Sequence, residues 1–238
     1  MIPLRIFVGW DSKEPAAFSV LAHSILSRAS APVAIIPLVQ GQLRAAGLYT
    51  RERGPTESTE FSLTRFLVPY LSSYEGVSIF MDCDMLCLTD IYGLIGETLS
   101  RWAREYVARH DGLHVSDRLP SPSPAIYVCK HDYTPRPGDK FLGQQQTSYP
   151  RKNWSSLMVF DNAQCKVLTP QYVNTVTGLE LHRFAWLEDG QIGELPLEWN
   201  WLVGEYQDNP EAKILHYTRG GPWFEPWLRE LRAATGAG

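Results

Sequence analysis

An α/β fold, with a mixed, mostly parallel sheet flanked by helices, is predicted by three features of the sequence. Short apolar runs alternate with a helical segment through the first half of the chain, at Leu4–Val8, Val33–Val39 and Val77–Met81. Between the first two lies a stretch with apolar residues at helical spacing. The third run ends directly on acidic residues, as strands do when they deliver ligands at the carboxyl edge of an open sheet.

The first strand, Leu4 to Val8, leads through Gly9-Trp10-Asp11 into a helix expected from about Glu14 to Ala29. Asp11 stands three residues before Glu14 in capping-box spacing, and Pro15 suits the first turn. Phe18, Leu21, Ala22, Ile25 and Ala29 share one face. A second strand covers Val33 to Val39. Gly41 to Glu60 is polar and lacks strong periodicity, which predicts a loop with one turn of helix. A helix from Phe61 to about Leu71 precedes the third strand, and Asp90 beyond it reads as a helix N-cap.

The second half is less regular. Asp117–Pro124 and Tyr133–Gly138 carry the Pro, Ser and Asp of long loops. Strands are expected at Ala125–Cys129, Leu157–Phe160 and Ile214–Tyr217, and a C-terminal helix with Trp227, Leu228 and Leu231 on one face. No internal repeat or domain boundary is evident, so one domain over 1–238 is expected. Its first part, to about residue 110, would bind nucleotide, and its second part an acceptor.

Composition narrows the function. The chain of 238 residues is 44% hydrophobic and carries a net charge of −4, which suits a globular protein and speaks against nonspecific nucleic-acid binding. No apolar run is long enough to span a bilayer. The N-terminal apolar stretch is too short for a signal peptide, and the four cysteines form no CxxC pair. Free thiols in a cytoplasmic setting are therefore expected.

Chemistry concentrates at Phe80-Met81-Asp82-Cys83-Asp84-Met85. In extended backbone, residues two apart point to the same side, so Asp82 and Asp84 aim together and Cys83, between them, turns away. Paired hard carboxylates at a strand end suit Mg²⁺ or Mn²⁺ with phosphate oxygens and water. His216, at the end of the late strand, is a third ligand candidate and tilts the metal towards Mn²⁺. Trp10 and Asp11 sit at the mouth of the same crevice. Trp10 is placed to stack on a base, and Asp11 either accepts from base or ribose or serves the helix start. Arg65, amid apolar helix positions, is either a snorkelling surface residue or a diphosphate clamp. Trp199 and Asn200 are acceptor-side candidates, and the basic stretch Lys130–Lys152 reads as a solvated surface or an acceptor flap.

Together these segments resemble family-8 glycosyltransferases, the group of glycogenin and the bacterial lipopolysaccharide galactosyltransferases. The resemblance rests on Phe7-Val8-Gly9-Trp10-Asp11, Arg65, the Asp82-Cys83-Asp84 triplet, Asn153-Trp154-Ser155-Ser156, and His216-Tyr217-Thr218-Arg219-Gly220-Gly221-Pro222-Trp223. It implies a GT-A fold and a UDP-sugar donor. It further implies Mn²⁺ held by Asp82, Asp84 and His216, and transfer with retention to a carbohydrate, lipid-linked or protein acceptor. It also implies sugar contacts from Asn153 and Ser155 or Ser156. Three departures stand out. The family's diphosphate-gripping Lys is replaced by Gly221, which leaves Arg219 beside Gly220 to serve. Asn-Ser-Gly becomes Asn-Trp-Ser-Ser. The family's Asp-Gln pair has no clean counterpart, and Glu188 and Asp189 are the nearest acidic residues.

Two other classes share some of these residues. A sugar-phosphate nucleotidyltransferase is expected to carry a Gly-rich basic loop after the first strand, whereas this chain has Trp10-Asp11-Ser12-Lys13. A noncatalytic sugar-binding protein on the same scaffold has no need of an intact Asp82, Asp84 and His216.

Overall fold

The computed structural model describes residues 3–54, 57–98, 124–132, 139–140, 144–145, 150–218 and 220–222. In chain order they form β1 (Leu4–Gly9), α1 (Pro15–Leu26), β2 (Val33–Leu38), α2 (Gln40–Ala45), a 3₁₀ turn at Thr64–Leu67, and α3 (Val68–Leu71). β3 (Val77–Met81), β4 (Met85–Cys87), helix α4 over 92–98 and β5 (Ile126–Cys129) follow. The rest comprises the short pair β6 (Asp139–Lys140) and β7 (Gln144–Gln145), β8 (Leu157–Asp161), α5 (Pro170–Thr175), α6 (Gly178–His182), β9 (Ile192–Leu195), β10 (Trp201–Leu202) and β11 (Ile214–His216). The expected C-terminal helix and the loops at 117–123 and 133–138 lie outside the described residues.

The main sheet has the order β2-β1-β3-β8-β5-β9. β1 pairs in parallel with β2 and β3, and β5 with β9, while β8 runs antiparallel between β3 and β5. The sheet is thus α/β and mixed, as the sequence predicts. Its central strands are apolar on both faces, as strands covered on both sides must be. Ile6, Phe7, Val8, Ile79, Phe80, Met81, Ile126, Val128, Met158 and Phe160 are all buried. One consequence decides where chemistry can occur. The carboxyl ends of β1, β3, β5 and β9 and the amino end of β8 share one edge.

Helix α1 begins at Pro15, whose fixed φ and missing N–H suit a first turn, and buries Ala17, Leu21, Ser24 and Ile25. The segment expected as one helix over 61–71 splits into the 3₁₀ turn and α3. Pro69 has no N–H to return to the carbonyl of Arg65, four residues back, and that carbonyl instead accepts from Val68 N at the cap.

A second sheet, β10-β11-β4, stands beside the first. β11 pairs antiparallel with β4 in a register that sets His216 opposite Met85, and Tyr217 N donates to Asp84 O at 2.9 Å. This ladder carries a histidine from late in the chain to the end of β3. Where β1 leaves the main sheet, a side chain at Gly9 would meet ring carbons of buried Phe61 at 2.4 Å. Gly9→Ala is expected to cost about 1–3 kcal/mol through overpacking. A thermal melt should show a loss of several degrees. An unchanged melting temperature would mean that the ring has room to move.

Candidate metal and donor site

Asp82, Asp84 and His216 converge at the shared edge, with ligand-capable atoms all within 4.8 Å of one another. Asp82 is anchored as β3 ends, its N–H donating to Ser156 O at 2.9 Å. His216 Nε2 lies 3.3 Å from Asp84 Oδ1 and 4.0 Å from Asp82 Oδ2. Asp84 Oδ1 is buried and accepts no hydrogen bond. A buried carboxylate oxygen without a donor is costly unless a cation completes it. Two carboxylates and one imidazole are a suitable donor set for Mn²⁺ or Mg²⁺, so the residues fit a divalent ion.

Arg65 is buried and already engaged. Its Nη1 lies 2.8 Å from Asp82 Oδ1 and donates to Ser155 O at 2.8 Å, and its Nε donates to Phe61 O at 3.4 Å. The guanidinium rests over the rings of Phe80 and Phe61, 4.8 and 5.3 Å from their centroids. Its geometry is that of a buried partner for Asp82. Asp11 does not cap α1, whose N-cap is Glu14, but both of its carboxylate oxygens accept from backbone. Oδ1 accepts from Lys13 N at 2.9 Å and Oδ2 from Glu60 N at 3.0 Å, tying the turn after β1 to the segment before Phe61. Trp10, half-buried, packs edge-on against Phe18 of α1 at 5.2 Å.

Asn153, Ser155 and Ser156 lie at the amino end of β8, beside the metal cluster. Asn153 adopts a left-handed backbone, φ 62°, ahead of the 3₁₀ turn Trp154–Ser156. Ser155 Oγ is 2.8 Å from His182 Nδ1, and Ser156 Oγ donates to Asn153 O at 2.6 Å. Gly220, φ 97°, closes the turn after β11 by donating to Tyr217 O. Glu188 and Asp189 are exposed and outside the cluster, and Asp189 pairs with Arg151. Arg219 lies outside the described residues, as does most of 130–152.

Three residues were not singled out from sequence. Glu14, read only as the helix start, is buried behind the triplet, where Cys83 Sγ donates to its Oε2 at 3.3 Å. Burial, then the charge of Asp84, pushes its carboxyl up to about 8. The alternation that turns Cys83 away from Asp82 and Asp84 points it at α1, which is the one sequence signal for this contact. His131, just past β5, meets Tyr206 OH at 2.9 Å. Burial and then the nearby His216 hold it down to about 3, so it stays neutral. His182 gave no signal, because its partner Ser155 is 27 residues away.

Comparison of the fold identifies its class. The chain superimposes on the bifunctional glycosyltransferase WbbM with a TM-score of 0.59 at 12% identity, covering 94% of this chain and 47% of that one. It matches mouse xyloside xylosyltransferase 1 with a TM-score of 0.54 at 12% identity, covering 93% of this chain and all of that one. GlyE of Streptococcus pneumoniae TIGR4 gives 0.54 at 13% identity, over 100% of this chain and 61% of that one. This chain therefore spans about half of WbbM and under two thirds of GlyE. The shared architecture is the GT-A fold of glycosyltransferases. No protein-family model matches the sequence. The chain belongs to the family of Protein CDI from Arabidopsis thaliana, to which it is 46% identical over 232 residues, covering 94% of this chain and 81% of that protein.

Proposed function

We propose that this protein is a metal-dependent glycosyltransferase that moves a hexose from a UDP-sugar to a carbohydrate, lipid-linked or protein acceptor, in the manner of family 8 and with retention. The observation that carries the reading is the convergence of Asp82, Asp84 and His216 at the carboxyl edge of a GT-A sheet. Asp82, Asp84 and His216 would hold the ion, Mn²⁺ in preference to Mg²⁺ because one ligand is imidazole. Bound there, a divalent cation supplies Lewis-acid neutralisation of the charge that grows on the departing diphosphate.

The chain's own residues do the rest. Arg65 holds Asp82 in place and offsets its charge. Trp10, beyond β1, walls the base pocket, and the diphosphate clamp is assigned to Arg219. Asn200, buried in contact with His216, is not an acceptor contact. No protein nucleophile is required if the acceptor attacks from the face the diphosphate leaves. We read residues 1–238 as one cytoplasmic domain, with its nucleotide half first and its acceptor half second. No helix among the described residues is long and apolar enough to cross a membrane.

Incubation with a panel of nucleotide-sugars and no acceptor tests this reading. Slow release of UDP is expected with Mn²⁺ and not with chelator. Pyrophosphate formed instead from UTP and a sugar phosphate would make the protein a nucleotidyltransferase, and the absence of either product would leave only a binding role.

A further inference from the structure

The segment before β8 and the turn before β10 do more than border the cluster. We infer that Asn200, held by Ser156, is a positioning residue that fixes the tautomer of His216 for metal binding, so that the Asn153–Ser156 segment is the support of the ion site. The inference rests on the metal reading above and extends it to residues that reading leaves without a role.

The polarity of the chain of hydrogen bonds can be worked out from one end. Asn153 O is a backbone carbonyl and can only accept, so Ser156 Oγ, 2.6 Å away, gives it its single proton. Ser156 Oγ is then the acceptor for Asn200, whose Nδ2 donates to it at 2.9 Å. That fixes the amide, with Oδ1 turned towards His216 Nδ1 at 2.8 Å. An amide oxygen cannot donate, so His216 carries its proton on Nδ1, and Nε2 is the nitrogen left facing Asp84 and Asp82. Nε2 is thereby the nitrogen aimed at the two carboxylates, where a cation can meet it. Asn200 and His216 are both buried, so water does not compete for these positions.

The same segment serves the other side of the cluster. Ser155 O receives Arg65 Nη1, the nitrogen that also contacts Asp82, and Ser156 O receives Asp82 N. One short turn therefore orients two ligands through partners that never touch the ion. Partners of this kind commonly contribute about ten- to a hundredfold to metal affinity.

The test measures Mn²⁺ binding directly, from the electron paramagnetic resonance signal of free ion, alongside ¹⁵N spectra of the metal-free histidines. Wild type should show His216 protonated at Nδ1. Asn200→Leu should weaken Mn²⁺ binding about ten- to a hundredfold. Asn200→Asp, whose carboxylate still accepts the Nδ1 proton, should bind much as wild type does. Ser156→Ala, which frees the amide to turn over, should fall between them and populate both tautomers. This variant decides the question if Asn200→Leu fails to fold. Unaltered affinity in a folded Asn200→Leu, or a proton found on Nε2 in wild type, would overturn the inference. Failure of wild type to bind any divalent ion would instead count against the metal reading, and the tautomer measurement would still judge the role of Asn200.

Discussion

Asp84→Ala is expected to abolish metal-stimulated turnover while leaving the protein folded. Asp84 Oδ1 receives no hydrogen bond and faces an imidazole nitrogen at 3.3 Å. Removing that carboxylate deletes a ligand and strands no donor at that atom. The backbone bond from Tyr217 N to Asp84 O, which keeps β4 and β11 in register, survives the change. Loss of a group that stabilises transition-state charge typically costs 10²–10³ in turnover, so a loss of at least about that size is expected. A melting experiment separates the ligand role from a structural one. Mn²⁺ should raise the melting temperature of wild type, because an ion that binds the native state stabilises it, and should leave Asp84→Ala unmoved. Wild-type turnover in this variant would sink the metal assignment. Asp82 is a poorer probe despite its equal place in the motif. Its removal strands the buried guanidinium of Arg65, and breaking a buried pair on one side costs about 3–5 kcal/mol. Low activity in Asp82→Ala would therefore mix lost metal with lost fold.

The difference between these two aspartates shows how far the sequence could be read. The strand Val77–Met81 and the acidic pair after it were legible because a short apolar run that stops on two carboxylates puts charge where a buried strand reaches the sheet edge. The lateness of His216 was no obstacle, since its own strand is apolar and short. The partners of these ligands were not legible. Arg65 looked equally like a surface residue or a phosphate clamp, and only the placement of Ser155, 90 residues on, decides where its nitrogens go. Asn200 sat among tryptophans and suggested an acceptor surface. Its amide is instead spent on Ser156 and His216, contacts at separations of 44 and 16 residues that no periodicity encodes. Helices α5 and α6 were missed for a different reason. They are 6 and 5 residues long, too short for a helical face to repeat. The capping box Thr177-x-x-Glu180 was nevertheless written in the sequence as a start signal for α6.

Glu14→Gln is expected to stabilise the metal-free protein at neutral and mildly alkaline pH, and to remove most of the pH dependence seen in its difference from wild type. The carboxyl of Glu14 is raised from 4.5 to about 8, first by burial and next by the charge of Asp84. The folded protein thus keeps a proton that the unfolded chain gives up. Stability from this group is greatest below the unfolded value of 4.5, declines as pH rises, and levels off above about 8. At about 1.4 kcal/mol per pH unit the penalty at the top of the window is on the order of 3–5 kcal/mol. Glutamine has nearly the same shape, keeps an oxygen for the Cys83 thiol to donate to, and carries no charge to desolvate. Denaturant unfolding at about pH 5 and about pH 8 should then show wild type losing stability relative to the variant as pH rises. His131 works in the opposite direction. Held down to about 3, it lets the unfolded chain take up a proton as pH falls below its ordinary 6.5, which weakens the fold in acid. Both proteins share that residue, so their difference isolates Glu14. Adding Mn²⁺ should narrow the gap, because an ion between Asp82 and Asp84 offsets the charges that help to raise Glu14. Parallel profiles for the two proteins would place an ionised carboxylate at Glu14 and remove the case for a neutral acid behind the Asp82-Cys83-Asp84 triplet.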